Sequence, residues 1–176
     1  MKKALLYITS LVLLMMSNLS YAQPYGSFYY GGAIGSGDVD VPGYDDAVVF
    51  RFQLGQKNAP TGWEFGVSFG SYDVTGSAGS ASTDVTEMDL SFMGYLPIAP
   101  TIDVFGRIGG MYWSADAVLY DTYIVGSDDG LDLFYGAGFD FAMTDRLDLR
   151  IEIQALPDVS GADITQTLVG LNYRLY

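Results

Sequence analysis

The chain has 176 residues, enough for one domain, and it carries 21 Asp and Glu against 8 Lys and Arg. This acidic balance argues against nucleic acid as a partner, because the phosphate backbone is itself anionic. The sequence contains no Cys and no His, which excludes disulfides, thiolate nucleophiles, Ser-His relays and the commonest metal ligand. The 22 glycines and the many Tyr and Phe residues favour an all-β protein.

The first 22 residues are predicted to be a secretory signal peptide. Two lysines open the chain, residues 4–16 are apolar, and the triplet SYA ends the segment as a small-residue cleavage site. We therefore expect residues 1–22 to be removed and residues 23–176 to form one domain; an uncleaved membrane anchor is the alternative. The mature chain then has six basic residues against 21 acidic ones, a net charge of −15. No later apolar run approaches twenty residues, so no membrane-spanning helix is predicted.

Apolar and polar residues alternate with a period of two in about eight stretches of the mature chain, which predicts eight strands. The predicted strands cover residues 27–35, 47–56, 63–72, 85–96, 101–113, 131–141, 147–155 and 163–176. Strands of about ten residues have the length that a tilted strand needs to cross a bilayer.

The predicted connections alternate in length. Short turns are expected at 58–61, 97–100 and 144–145, and longer polar loops at 36–46, 74–84 and 114–129, with a short loop at 157–161 that breaks the trend. An up-and-down barrel with tight periplasmic turns and longer external loops produces this pattern. An even number of strands places both termini on the periplasmic side.

The charged residues indicate which face of the sheet meets lipid. All five arginines are predicted on the polar phase of their strands, Arg146 among them, together with most of the strand carboxylates. In a membrane barrel this phase lines the lumen, where acids and arginines pair, and the apolar phase meets lipid. The predicted lumen charge network comprises Arg51, Glu64, Glu87, Asp89, Asp103, Arg107, Asp132, Asp140, Arg150, Glu152 and Arg174. Aromatic girdles at the two membrane interfaces are expected from Tyr25, Trp63, Tyr95, Tyr112, Tyr135 and Tyr173.

A soluble, ligand-binding barrel of the lipocalin type is the alternative architecture. It would be exported, eight-stranded and apolar inside, and its outer face would carry many Lys and Glu residues. Charged residues make up only 16% of the chain, and one Lys remains after the signal peptide. The composition therefore favours an all-β, eight-stranded antiparallel up-and-down transmembrane β-barrel.

Two segments resemble a known family. Residues 133–154, LFYGAGFDFAMTDRLDLRIEIQ, resemble the penultimate hairpin of the OmpA-like/OmpX-like small outer-membrane β-barrels, and residues 169–176, VGLNYRLY, resemble their closing strand. The resemblance implies a monomer in the outer membrane of a Gram-negative cell envelope, surrounded by lipid and lipopolysaccharide and inserted by the outer-membrane assembly machinery. It also implies an assembly signal at Tyr173, Leu175 and Tyr176. The outward-facing positions of the last strand end at Leu175. The terminal aromatic residue, Tyr176, therefore lies one position later than is usual in the family.

No catalytic residues, cofactor or specific metal site are predicted, and the protein is expected not to be an enzyme. The family's lipid-modifying barrels rely on His, which this chain lacks. Acidic residues in the first and third loops offer oxygen ligands for Ca²⁺ or Mg²⁺, namely Asp38, Asp40, Asp45, Asp46, Asp116, Asp121, Asp128 and Asp129. The spacing lacks the remainder of an EF-hand loop, so solvated surface charge is favoured. Divalent ions that bridge these loops to lipopolysaccharide are a diffuse alternative.

The functional hypothesis is a structural or surface-interaction role, with the lumen plugged by an Arg–carboxylate network. Eight strands leave room for side chains and little else, which favours filling over conduction. A narrow pore or small-molecule uptake channel is one alternative. An adhesin or colonisation factor that acts through its extracellular loops is another, with Tyr44, Tyr120 and Tyr123 as contact surface.

Overall fold

A computed structural model describes residues 26–74, 81–119 and 123–175, and their regular structure consists of eight β-strands. The strands are β1 Ser27–Val39, β2 Ala47–Asn58, β3 Thr61–Asp73, β4 Ala81–Ala99, β5 Ile102–Leu119, β6 Tyr123–Ala142, β7 Leu147–Val159 and β8 Ala162–Arg174. Each strand pairs antiparallel with the next, and β1 pairs with β8, so the sheet closes into a barrel. The predicted eight-stranded up-and-down barrel is confirmed. The predicted signal peptide lies outside the described residues and stays a prediction.

The stagger between the strands can be followed through the ladder of paired residues. The path from Phe28 runs through Gln56, Trp63, Phe92, Ile108, Tyr135, Ala155 and Thr165 and returns to β1 at Asp38. The sheet therefore closes with a shear of ten residues along β1, which requires the strands to tilt strongly against the barrel axis. A barrel of this strand number has an interior that side chains fill.

The apolar phase of the strands faces outward. Leu131, Leu133 and Phe52 are 79%, 68% and 63% exposed, whereas the inward-facing Glu64 and Arg51 are buried. A soluble lipocalin-type barrel would show the reverse arrangement, with its charges outside. In water this apolar exterior would be strongly unfavourable, whereas in a bilayer it is matched by hydrocarbon.

One end of the barrel has tight turns, at residues 59–60, 100–101 and 143–146. In the last of these the Thr144 hydroxyl oxygen accepts the backbone N–H groups of Arg146 and Leu147, at 3.2 Å and 3.0 Å. The turn occupies four residues instead of the predicted two, so the prediction of Arg146 on the polar phase of the strand is wrong. Arg146 lies exposed in the turn and donates to the Tyr173 hydroxyl at 3.3 Å.

At the other end β4, β5 and β6 extend well beyond the other five strands. The ladder between β5 and β6 continues from Ser114↔Asp129 to Leu119↔Tyr123, so the predicted long loop at 114–129 is wrong. The alternation of apolar and polar residues ends where the strands leave the membrane, but the backbone pairing does not need it. The predicted loop at 157–161 is likewise shorter, because β7 continues to Val159 and the turn uses Gly161, whose φ of 82° suits glycine.

Candidate functional site

Glu64 on β3 is the centre of a buried charge cluster in the lumen, and its side chain is fully buried. Its Oε1 accepts hydrogen bonds from Arg51 Nη2 at 3.2 Å and from Arg107 Nη1 at 2.9 Å. Its Oε2 accepts from Arg150 Nη1 at 2.5 Å and from the Tyr29 hydroxyl at 2.6 Å. These donors come from β2, β5, β7 and β1, so one carboxylate links four other strands across the lumen.

Further carboxylates surround the same arginines. Asp89 accepts hydrogen bonds from both Nη atoms of Arg51, at 2.6 Å and 3.0 Å, and from Arg107 Nη2 at 2.7 Å. Asp140 holds Arg150 through Nε at 2.8 Å and Nη2 at 3.1 Å. Such bidentate pairs are the strong, geometrically specific form of the interaction. With the contact of Glu152 to Arg107 at 2.9 Å, they complete what we call the lumen cluster: Arg51, Glu64, Asp89, Arg107, Asp140, Arg150 and Glu152.

Aromatic rings cover the guanidinium groups of the lumen cluster. Arg107 Cζ lies 4.8 Å from the ring centre of Phe134, and Arg150 Cζ lies 4.5 Å from that of Phe105 and 5.5 Å from that of Tyr29. Cation–π contact of this kind is favourable when the cation is removed from water. The rings also occupy space that water would otherwise fill.

Two predicted network residues face the lumen on the extracellular side of the cluster and have other partners. Glu87 accepts a hydrogen bond from the amide nitrogen of Gln166 at 2.7 Å. Asp132 accepts the indole N–H of Trp113 at 2.8 Å. The structure gives neither carboxylate a salt bridge among the described residues.

Two more of the predicted network residues, Asp103 and Arg174, lie toward the periplasmic end. Asp103 pairs with Lys57 at 2.6 Å, and the same ammonium group lies 3.6 Å from Asp140, so this pair continues the lumen cluster toward the periplasm. Arg174 forms a separate pair with Asp148. Every inward-facing cation in the described part of the chain therefore has a carboxylate partner.

Sequence reasoning missed two participants in the cluster and its continuation. Tyr29 alternates with the outward-facing Phe28 and Tyr30, so its inward position could have been recognised from the sequence. It was not included in the predicted charge network because its side chain is uncharged. Lys57 lies one residue beyond the predicted end of the second strand. Both assignments needed the register of the closed barrel.

The prediction of Tyr95 in an interfacial girdle is wrong. Its side chain is 1% exposed and faces the lumen, where it packs with Met93 and Phe105. Tyr95 shares its phase with the lumen charges of β4, and proximity to the strand end does not reverse that phase. Of the other girdle candidates, Tyr112 and Tyr135 are 42% and 58% exposed and Trp63 and Tyr173 are half-buried, whereas Tyr25 lies outside the described residues.

The remaining predicted sites are the acidic loops, as ligands for a metal ion, and the assembly signal in the last strand. Among the described residues no group of three acidic side chains is placed to hold a metal ion, and Asp121 lies outside them. Of the assembly signal, Tyr173 contacts the Tyr30 ring at 5.7 Å between centres and Leu175 N donates to Phe28 O at 2.7 Å. Tyr176 lies outside the described residues, so the signal stays a prediction.

A closed eight-stranded barrel with an apolar exterior and a charged interior defines the class: an integral outer-membrane β-barrel. Residues 8–174 match the family described as outer membrane protein beta-barrel domain, and the chain belongs to this family. The protein is therefore located in the outer membrane.

Individual relatives agree with this assignment. Outer membrane protein A of Serratia marcescens is 25% identical over 171 residues, which cover 90% of this chain and 48% of that protein, so the chain spans about half of its relative's length. Neisserial surface protein A has a similar fold, with a TM-score of 0.62 at 11% identity over 85% of this chain and 97% of that one. Ail of Yersinia pestis, solved with the heparin analogue sucrose octasulfate, has a TM-score of 0.59 at 15% identity over the same shares. At these identities the two structures indicate the fold alone.

Proposed function

We propose that this protein is a non-catalytic outer-membrane barrel with a structural and surface-interaction role, and that the lumen cluster plugs its interior. The observation that carries the proposal is Glu64, which is fully buried and bonded to three arginines from other strands. We also infer a monomer in lipid and lipopolysaccharide, inserted by the assembly machinery through Tyr173, Leu175 and Tyr176.

The energetics of the lumen cluster support a plug. Charges removed from water are costly unless they are paired and hydrogen-bonded, and these are bound to each other from opposite walls. Arg51 and Arg107 are 1% and 4% exposed. An ion that crossed this level would have to break bidentate pairs and displace the aromatic rings that cover them. The pairs therefore favour a closed lumen over a permanent conduit.

Planar-bilayer recordings test the plug. We expect no steady conductance steps from the wild-type protein, because the lumen cluster fills the interior. Arg150→Ala removes a side chain that bridges Glu64 and Asp140. It is expected to add small, unstable steps as water enters the space.

The matched control is Arg146→Ala, which removes an arginine from the exposed turn next to the same strand. It should behave as wild type. Steady steps in the wild type that disappear in Arg150→Ala or Glu152→Ala would contradict the plug and support the alternative of a narrow pore or uptake channel.

The extension of β4, β5 and β6 beyond the other strands favours the surface-interaction part of the role. These strands have 19, 18 and 20 residues, against 12 or 13 in the other five. The acidic residues near this end include Asp116, Asp128 and Asp129, and no Lys or Arg of the residues that the structure describes lies there. A partner surface of neutral or positive charge is therefore favoured, whereas a sulfated polyanion would be repelled.

Shortening the projecting hairpin tests this role. A variant that joins Ser114 to Asp129 through a two-residue Asn-Gly turn removes the projecting end and keeps the ladder below it. We expect binding of whole cells to cationic matrix to fall several-fold, while gel mobility before and after boiling shows that the barrel still folds. Unchanged binding would contradict a surface-interaction role for this hairpin and would remove the adhesin alternative.

A further inference from the structure

The lumen changes character above the lumen cluster. Toward the extracellular end the inward side chains form a buried apolar group that includes Met111, Trp113, Phe134 and Leu156. These side chains are at most 4% exposed, so they pack as a small apolar core above the lumen cluster. The interior is therefore divided into a charged level and an apolar level.

A cavity of about 490 Å³ lies at this end. We call it the outer cup, and its walls are mainly apolar: Val39, Tyr72, Val85, Ala115, Val159 and Ile164. The first loop bends over it, because Tyr44 forms a β-bridge with Val74 and also lines the cavity. The volume and the lining match those of sites for small organic ligands.

The Tyr72 ring forms part of the lower wall of the outer cup, and its side chain is 2% exposed. A Cβ atom at Gly37 would come within 2.3 Å of the Tyr72 hydroxyl, so the ring extends inward from the mouth. The hydroxyl itself is enclosed beneath the cup, next to the side chain of Gln166, whose amide nitrogen donates to Glu87 at 2.7 Å. The cup is therefore closed from below mainly by apolar surface.

Every charged side chain that the structure describes around the outer cup is acidic. Asp128 lines the cavity, and its carboxylate is held by the Ser160 hydroxyl at 2.9 Å and the Asp129 N–H at 3.0 Å. The exposed Asp38, Asp40 and Asp163 are sequence neighbours of Val39 and Ile164 in the cup wall. The basic residues of the mature chain all lie deeper in the lumen or at the periplasmic end. Such a field concentrates cations at the mouth and repels anions.

We propose that the outer cup binds small amphipathic cations, molecules with a quaternary ammonium group and a short apolar body. The apolar body occupies the cup, and the ammonium group lies at the rim near Asp128 and the ring of Tyr44, which also attracts a cation. This inference is independent of the plug, since the lumen cluster lies below the cup whether or not the cup is filled.

The test uses the full mature chain in nanodiscs of zwitterionic lipid. The chain has two tryptophans, so Trp63→Phe leaves Trp113, within the apolar group beneath the cup, as the fluorescent reporter. The probes are hexyltrimethylammonium, 1-hexanol and hexyl sulfate, which share a chain and differ in charge. We expect the ammonium probe to saturate Trp113 fluorescence and bind about tenfold more tightly than the alcohol, with no saturation by the sulfate. Its affinity should fall as salt is added.

Three variants assign the binding to the outer cup. Ala115→Phe fills it and should weaken the ammonium probe at least about tenfold, by the loss of apolar burial. Ala117→Leu, at another lining position, serves the same purpose if the first variant fails to fold, as judged by gel mobility before and after boiling. Asp128→Asn should weaken the ammonium probe and leave the alcohol unchanged. The matched control is Ala137→Phe, an outward-facing alanine of β6 that should change nothing.

The proposal is overturned if Trp113 responds to none of the probes. It is also overturned if all three probes act alike, or if both cup-filling variants bind as the parent does, because the probes would then be partitioning into lipid.

Discussion

Glu64→Ala is expected to lower the free energy of unfolding by about 3–5 kcal/mol, the cost of removing one partner from a buried ionic network. The substitution leaves the guanidinium groups of Arg51, Arg107 and Arg150 facing one another without the carboxylate that they share. Asp89, Asp140 and Glu152 still neutralise part of that charge, which places the loss within this range and short of complete unfolding. Equilibrium unfolding by urea in lipid vesicles, followed by tryptophan fluorescence, gives the difference directly.

Glu87→Ala is the matched control for this measurement. It also removes a buried, inward-facing glutamate, but the side-chain partner of Glu87 is the amide of Gln166. We expect a loss of about 1 kcal/mol, typical of a single hydrogen bond. Equal losses in the two variants would show that Glu64 is no more than one polar side chain among many, and the plug would lose its central support.

The alternation of side chains allowed the architecture and the orientation to be predicted from the sequence. The period of two assigns each residue to one face, and Arg51, Arg107 and Arg150 share the polar phase with the carboxylates. The sequence could not show which of them meet. That depends on the shear of ten residues, which brings Arg150 of β7 to Glu64 of β3 and leaves Arg174 with Asp148. Register is a property of the closed sheet and is absent from any single strand.

The longest stretch that the sequence predicted wrongly lies beyond the apolar band of the barrel. Between Ser114 and Asp129 the strands continue in water, so no apolar phase marks them, and only the backbone ladder remains. The outer cup was missed for a related reason. Val85 and Ala115 continue the lumen phase of their strands, but a search for charges passes over apolar residues in that phase.

The lumen cluster and the outer cup together explain why this interior is divided. A small barrel gains stability from side chains that bridge its walls, and the paired charges do this around Glu64. Above that level the walls carry Val39, Val85 and Ile164, which cannot bridge by hydrogen bonds and leave a cavity in place of a plug. The residues that stabilise the barrel and the residues that line the cavity therefore lie at different levels along the same strands.

Leu90→Arg tests the orientation on which these arguments rest, and it is expected to cost about 2–4 kcal/mol, the penalty for a cation on the lipid face near the middle of the bilayer. Leu90 is 60% exposed and lies in the outward apolar run of β4 that extends from Met88 to Leu96. Thr86→Arg, four residues away on the same face of the same strand, is the matched control. It lies where the apolar run ends and should cost at most about 1 kcal/mol, because the side chain reaches the interface. Urea unfolding in vesicles of defined lipid measures both. If the two variants were equally stable, or if Leu90→Arg rendered the protein soluble and monodisperse without detergent, the outward face would not be a lipid face.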